Sequence, residues 1–230
     1  MLVSPAGVVL VDTGFGNGKD RGAVPFSHLD TDWLDRLAGL GIGVDDVDAV
    51  ISTHLHSDHV GWNTRWDGSR WVPTFPRARY YFSKADFVDR TEVPNRPGVS
   101  GSFEDSVLPL IGVADVRMVE GRTQVVPGVV IEPIPGHSVG HTVVALAGSD
   151  GRTAALLTGD LVHHPIQVAY PAVGMYADSD PFLAQHSRRT VLRRAAEEGL
   201  LLLPAHFRAP YAGRVVADGD GLAWRWLDEP

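Results

Sequence analysis

Cysteine is absent from all 230 residues, which removes disulfides, zinc ribbons, iron–sulfur clusters and thiol nucleophiles together. Any metal would have to be held by imidazole and carboxylate. Long apolar runs are missing too, since none approaches the roughly 20 residues that a bilayer-spanning helix needs. Nor is there a surplus of cations: 28 Asp and Glu against 20 Lys and Arg give a net charge of −8. That balance disfavours nucleic acid or an anionic membrane as a partner, because both repel an acidic surface. The first residues carry no basic stretch followed by an apolar core of signal-peptide length. The expectation is a soluble, cytoplasmic protein that acts on a small molecule. Its oligomeric state is left open, a homodimer included.

What is present has the balance of a folded protein. Hydrophobic residues make up 44% and charged residues 21%, and the length suits one sizeable core, so a single domain over 1–230 is expected. Val8–Asp12, Asp48–Thr53, Arg79–Phe82, Val129–Ile134, Thr142–Ala147 and Thr153–Thr158 read as strands. Thr31–Leu40 sets Trp33, Leu34, Leu37 and Leu40 near helical spacing, with Gly41 as a stop, and Ser83–Asp86 looks like a helix start. Ser179–Glu198 is the clearest helix, capped by Asp180-Pro181 and ended by Gly199. Leu200–Leu203 is almost wholly apolar and predicts a strand buried on both faces. Strands interleaved with helices indicate an α/β arrangement. Thr91–Asp105, rich in Pro, Gly and Ser, is the longest irregular stretch and a candidate lid.

The chemistry concentrates in Ser52-Thr53-His54-Leu55-His56-Ser57-Asp58-His59-Val60-Gly61. Four ligand-type side chains, His54, His56, Asp58 and His59, lie within six residues just after a strand. A strand end followed by a tight turn fixes the backbone while side chains converge on one cavity. Imidazole and carboxylate together suit zinc, iron or manganese. Further candidates recur at later strand ends: His137 in Pro135-Gly136-His137-Ser138, Asp160 in Thr158-Gly159-Asp160, and His206 in Pro204-Ala205-His206. Glycine or proline beside each permits the sharp turn that aims a ligand inward.

These residues carry a resemblance. His-x-His-x-Asp-His followed by a later His, Asp and His resembles the metallo-β-lactamase superfamily, over Asp12 to His206. The resemblance implies a four-layer αββα sandwich with two divalent ions, zinc first and manganese or iron otherwise. It implies His54, His56 and His137 on one ion, Asp58, His59 and His206 on the other, and Asp160 bridging both. Asp12 resembles the family's early Asp-Thr-Gly and would support the site from behind; by position, Ser138 and Thr142 are further candidates for that role. A hydroxide shared by the two ions would attack, and Asp58 would orient it and shuttle its proton. Thr-His-Leu-His-Ser-Asp-His-Val-Gly-Trp-Asn and Gly-Asp-Leu-Val-His-His-Pro look closest to the lactonase and methyl-parathion-hydrolase-like branch.

The expected activity is therefore hydrolysis of a small ester or lactone, with phosphotriesters as side substrates. Two other readings stand beside it: a single-iron redox enzyme of the same fold, such as a persulfide dioxygenase, and a metal-binding protein without catalysis. Relatives usually carry one or two strands before the segment matching Val8–Asp12, whereas only Met1–Val3 precede the turn here; either the start is called late or the first sheet is trimmed. His28 and His186 are expected at the surface, and His141 behind the site. His163 and His164 follow Asp160 closely enough to reach substrate. Trp62, Phe207 and Tyr211 flank the ligand segments and would supply apolar pocket wall. Trp224-Arg225-Trp226 alternates as an edge strand does.

Overall fold

The computed structural model describes residues 1–22, 25–93 and 101–227. The chain divides into two compact units, Met1–Val119 and Glu120–Pro230, and each builds its own sheet. Among the described residues no helix is long and apolar enough to cross a membrane.

The first unit contains strands β1 (Leu2–Ser4), β2 (Gly7–Val11), β3 (Ala49–Ile51), β4 (Thr64–Trp66), β5 (Trp71–Pro73), β6 (Arg79–Ser83) and β7 (Asp115–Val119). Its helices are α1 (Trp33–Gly39), α2 (Lys84–Glu92) and α3 (Ser102–Ser106). The main sheet runs β1-β2-β3-β6-β7, with β2, β3, β6 and β7 parallel and β1 antiparallel at the edge. Residues Ala49, Val50 and Ile51 of β3 are all buried, as a central parallel strand covered on both faces requires. Val50, Tyr80, Phe82, Phe75, Leu55 and Leu110 form the heart of the core. Val11 pairs with Ile51, so β2 and β3 end level and deliver Asp12 and Thr53 to the same place.

The second unit contains β8 (Thr123–Val126), β9 (Val129–Pro133), β10 (Thr142–Ala147), β11 (Thr153–Gly159), β12 (Leu201–Pro204), β13 (Gly213–Asp218) and β14 (Gly221–Trp226), with α4 (Ile166–Ala169) and α5 (Pro181–Glu198). The sheet order is β14-β13-β12-β11-β10-β9-β8, and among the described residues of this sheet only β11 and β12 pair in parallel. Asp180 caps α5 by accepting the N–H groups of Phe182 and Leu183, and Pro181 fills the first turn. Gly199 ends the helix with φ +65°, the left-handed turn that glycine adopts without a side-chain clash. Ala184, Ser187, Arg188, Val191, Leu192 and Ala195 form its buried face, at the i, i+3, i+4 spacing of an amphipathic helix.

Leu2–Ser4 is an edge strand paired with β2. Several expectations need correction. Leu201 and Leu203 are half-buried, while Leu202 and Pro204 are buried, so β12 alternates instead of being covered on both faces. The stretch Thr91–Asp105 is helical at its two ends, in α2 and α3; residues 94–100 lie outside the described residues. Trp62 is buried and stacks on Trp33 at 5.7 Å, and Phe207 is buried against Trp224 and Trp226. Both pack against other aromatic side chains; Tyr211 alone of that trio is exposed.

Candidate metal centre

In the first unit His54, His56, Asp58 and His59 occupy one irregular turn after β3. Backbone hydrogen bonds hold it: the His59 N–H donates to His56 O at 3.1 Å within the turn, and the Thr13 N–H, just beyond β2, donates to His59 O at 2.8 Å. Gly61 lets the turn close. A Cβ there would stand 1.9 Å from the Phe15 carbonyl carbon, a distance no side chain tolerates. The His54 and His56 rings lie 4.4 Å apart, and those of His54 and His59 lie 4.1 Å apart. His54 with His56, and Asp58 with His59, each bring ligand atoms within 4.8 Å.

Asp12 organises this turn. Its φ is +56°, a left-handed conformation that Asp adopts more readily than bulkier residues. One carboxylate oxygen accepts the Thr53 N–H at 2.7 Å; the other lies 2.8 Å from both His59 Nδ1 and the Thr53 hydroxyl. The Thr53 hydroxyl proton is thus given to Asp12, and the Thr53 oxygen, 3.1 Å from His54 Nδ1, acts as the acceptor there. These oxygens favour the Nδ1–H tautomer of both rings, which leaves Nε2 as the candidate ligand atom, the arrangement by which outer groups orient metal-binding histidines.

In the second unit Asp160 stands one residue beyond β11 and His206 two beyond β12. These are neighbouring parallel strands with Gly159 opposite Pro204, so their carboxyl ends present the two side chains together. Asp160 Oδ1 lies 3.1 Å from His206 Nε2, and Oδ2 lies 3.3 Å from His137 Nε2 and 3.1 Å from His163 Nε2. His137 with Asp160, and Asp160 with His206, each bring ligand atoms within 4.8 Å. Gly136 makes the approach of His137 possible: its φ is +135°, and a Cβ would stand 2.3 Å from Ala184 N.

Asp178 lies behind His137, with Oδ1 2.9 Å from Nδ1. Burial opposes the charged ring, yet the carboxylates of Asp160 and Asp178 outweigh it and raise the His137 pKa above its ordinary value. Burial likewise pushes Asp178 upward, but His137, the Met175 N–H and Arg188 hold it below the usual carboxylate range. His141 is buried; its Nε2 accepts the Asp160 N–H at 3.1 Å, which leaves Nδ1–H to donate to Ile134 O at 3.2 Å. It supports the Asp160 backbone from behind. His163 stacks on His206 with ring centroids 5.1 Å apart and planes 5° from parallel. His28 and His186 are exposed.

The sequence profile of the metallo-beta-lactamase superfamily matches residues 1–206. The chain belongs to this superfamily. Among curated relatives, it is 27% identical over 153 residues to an N-acyl homoserine lactonase of Bacillus thuringiensis subsp. kurstaki, covering 61% of this chain and 54% of that one. It is 28% identical over 182 residues to a Mycobacterium tuberculosis protein named "Probable metallo-hydrolase", covering 69% of this chain and 54% of that one. This superfamily member therefore spans about half the length of those relatives, 54%. The solved structure of AidC, a dizinc quorum-quenching lactonase, matches 99% of this chain and 78% of its own with a TM-score of 0.77 at 19% identity. That likeness shows the mixed α/β fold of the superfamily.

The donor chemistry of both units fits a divalent metal of the kind the superfamily implies. Imidazole and carboxylate are the only strong ligand types in these turns, and Thr53, Asp12 and Asp178 take the Nδ1 side of His54, His59 and His137. Asp178 and Arg188 escaped the sequence reading. Asp178 sits in Ala177-Asp178-Ser179-Asp180, where its neighbour Asp180 carries the recognisable helix-cap signal, and nothing local marks it as the partner of a residue 41 positions away.

Proposed function

We propose that the chain is a binuclear metal-dependent hydrolase of small esters and lactones, with phosphotriesters as side substrates. His54, His56 and His137 would hold one ion, Asp58, His59 and His206 the other, and Asp160 both. One observation carries the reading: the Asp160 carboxylate directs one oxygen to His137 Nε2 and the other to His206 Nε2, a member of each proposed ligand set. The superfamily profile matches residues 1–206, a span that includes all seven proposed ligands.

Two bound divalent ions would supply Lewis-acid polarisation of the scissile bond and a more acidic water. Zinc is the proposed metal, on the imidazole and carboxylate donors. The protein's own contribution is orientation: Asp12 and Thr53 fix the first turn, and Asp178 and His141 fix the second group. Asp58, whose side chain is 23% exposed, can reach a reacting water, orient it and carry its proton. The substrate class rests on the charge of the ligand segments. The ligand segments Ser52–Gly61, Pro135–Thr142 and Thr158–Pro165 carry no Lys or Arg to clamp a polyanion, which suits an uncharged, partly apolar molecule.

A panel of lactones, aryl esters, phosphotriesters, thioesters and β-lactams tests this, run on protein of measured metal content. Metal-dependent turnover of lactones or aryl esters is the expected result. Turnover confined to a charged thioester, or a persulfide oxidised by protein holding one iron, would overturn it. Two bound ions with no turnover across the panel would leave a metal-binding protein.

A further inference from the structure

Asp178 is wholly buried at its side chain. Besides facing His137 with Oδ1, it accepts the Met175 N–H on Oδ2 at 2.9 Å and lies 3.6 Å from Arg188 Nη2. Arg188 is itself 1% exposed, on the inward face of α5. Its Nε donates to Leu161 O at 2.8 Å, and its Nη1 donates to Pro171 O at 2.9 Å and Val173 O at 3.1 Å. Leu161 follows Asp160 directly. One guanidinium thus joins the backbone beside Asp160, the loop after α4, and the carboxylate behind His137. Gln167 closes the same loop, accepting the His163 N–H at 2.6 Å and donating to Val173 O at 2.9 Å.

We propose that Asp178, held in place by Arg188, is a positioning residue that commits His137 to ligation through Nε2. The inference rests on the metal-site reading above. A neutral imidazole carries one proton, and the hydrogen bond made by one nitrogen decides which nitrogen stays open. At His137 both nitrogens face carboxylates: Asp178 at 2.9 Å from Nδ1 and Asp160 at 3.3 Å from Nε2. Without Asp178, the proton gains by moving to Nε2 and donating to Asp160, and that tautomer cannot bind a cation there. A buried carboxylate is costly unless countered, and Arg188 supplies the counter-charge while its other donors are taken by carbonyls. Asp12 stands in the same relation to His59, but from a strand end. Asp178 reaches its histidine from a loop, so the segment 161–180 governs one ligand of the site.

The test compares wild type, Asp178→Asn and Asp178→Ala by zinc affinity, from chelator competition, and by the side-chain 15N shifts of His137 in metal-free protein at a pH where the ring is neutral. Thermal unfolding of each variant reports on the fold. Asp178→Ala is expected to lose about 10–100-fold in affinity for one of two zinc ions and to gain the Nε2–H tautomer. Asp178→Asn keeps an acceptor oxygen and is expected to lose less on both counts. A folded Asp178→Ala with unchanged zinc affinity and an unchanged His137 tautomer overturns the proposal. If that variant does not fold, Asp178→Asn decides, and unaltered zinc affinity there overturns it equally. Failure of the wild type to bind zinc would sink the metal reading instead, and the tautomer measurement would still judge Asp178.

Discussion

Asp12 Oδ2 lies 2.8 Å from His59 Nδ1 while Oδ1 of the same carboxylate accepts the Thr53 N–H at 2.7 Å. Through the Thr53 hydroxyl the same group also reaches His54. One side chain at the end of β2 therefore orders two histidines of the turn after β3. Asp12→Ala should lower metal affinity by about 10–100-fold, measured by chelator competition on folded protein. Asp12→Asn, which keeps the shape, should recover part of it. Equal affinity in wild type and the alanine variant would show that the turn holds its histidines without Asp12.

Asp160→Asn should remove more than His163→Ala does. Asp160 meets His137, His163 and His206, and an amide would lose the charge that offsets both cations in the proposed binuclear site. His163 makes one contact to that carboxylate and stacks on His206, so its loss should leave metal content intact. Elemental analysis after zinc loading separates the cases: fewer than two ions in Asp160→Asn and two in His163→Ala. Two ions in both would contradict the bridging role.

Gly61→Ala should destabilise the protein by more than about 2 kcal/mol. The added methyl would sit 1.9 Å from the Phe15 carbonyl carbon and 2.3 Å from Gly16 N, both backbone atoms that cannot rotate away. Gly199→Ala makes a useful contrast, because nothing lies within 4 Å of a Cβ there and only its φ of +65° resists. About 1 kcal/mol is expected from that strain alone. Denaturant unfolding of the two variants checks the order, and a smaller loss for Gly61→Ala would contradict the close approach.

Lys19 carries a pH dependence. Its ammonium is buried within 2.6 Å of Thr64 Oγ1, 2.8 Å of Ser106 Oγ and 3.4 Å of Asp105 Oδ1. Burial pushes its pKa from 10.5 down to about 7, with Asp105 opposing the shift. Between those two values the unfolded chain binds more protons than the folded one, so stability rises with pH across that window. The cost of burying the cation is fully present below the folded value and is relieved as pH climbs toward the unfolded one. Lys19→Met should flatten this rise, whose slope cannot exceed about 1.4 kcal/mol per pH unit. Parallel pH curves for variant and wild type would rule Lys19 out as its source.

The sequence by itself determined the candidate ligand residues and most of the strands and helices, because those signals are local. His54, His56, Asp58 and His59 announce themselves by spacing after a β-branched run, and α5 by its Asp180-Pro181 start, its apolar stripe and Gly199. The sites of His137, Asp160 and His206 were legible as ligand types at strand ends beside glycine or proline. Tertiary structure alone decided what stands behind and around them. That Asp178 serves His137, or that Arg188 is fully buried against Asp178 and Leu161, depends on where α5 packs, and no periodicity records it. The same holds for Trp62 and Phe207: an aromatic side chain beside a ligand segment suits a pocket wall or a core equally well in sequence. Packing against Trp33, and against Trp224 and Trp226, places both in cores. Local pattern reports which groups a strand end can present, whereas hydrogen bonds and burial between residues distant in the chain arise only when the chain returns.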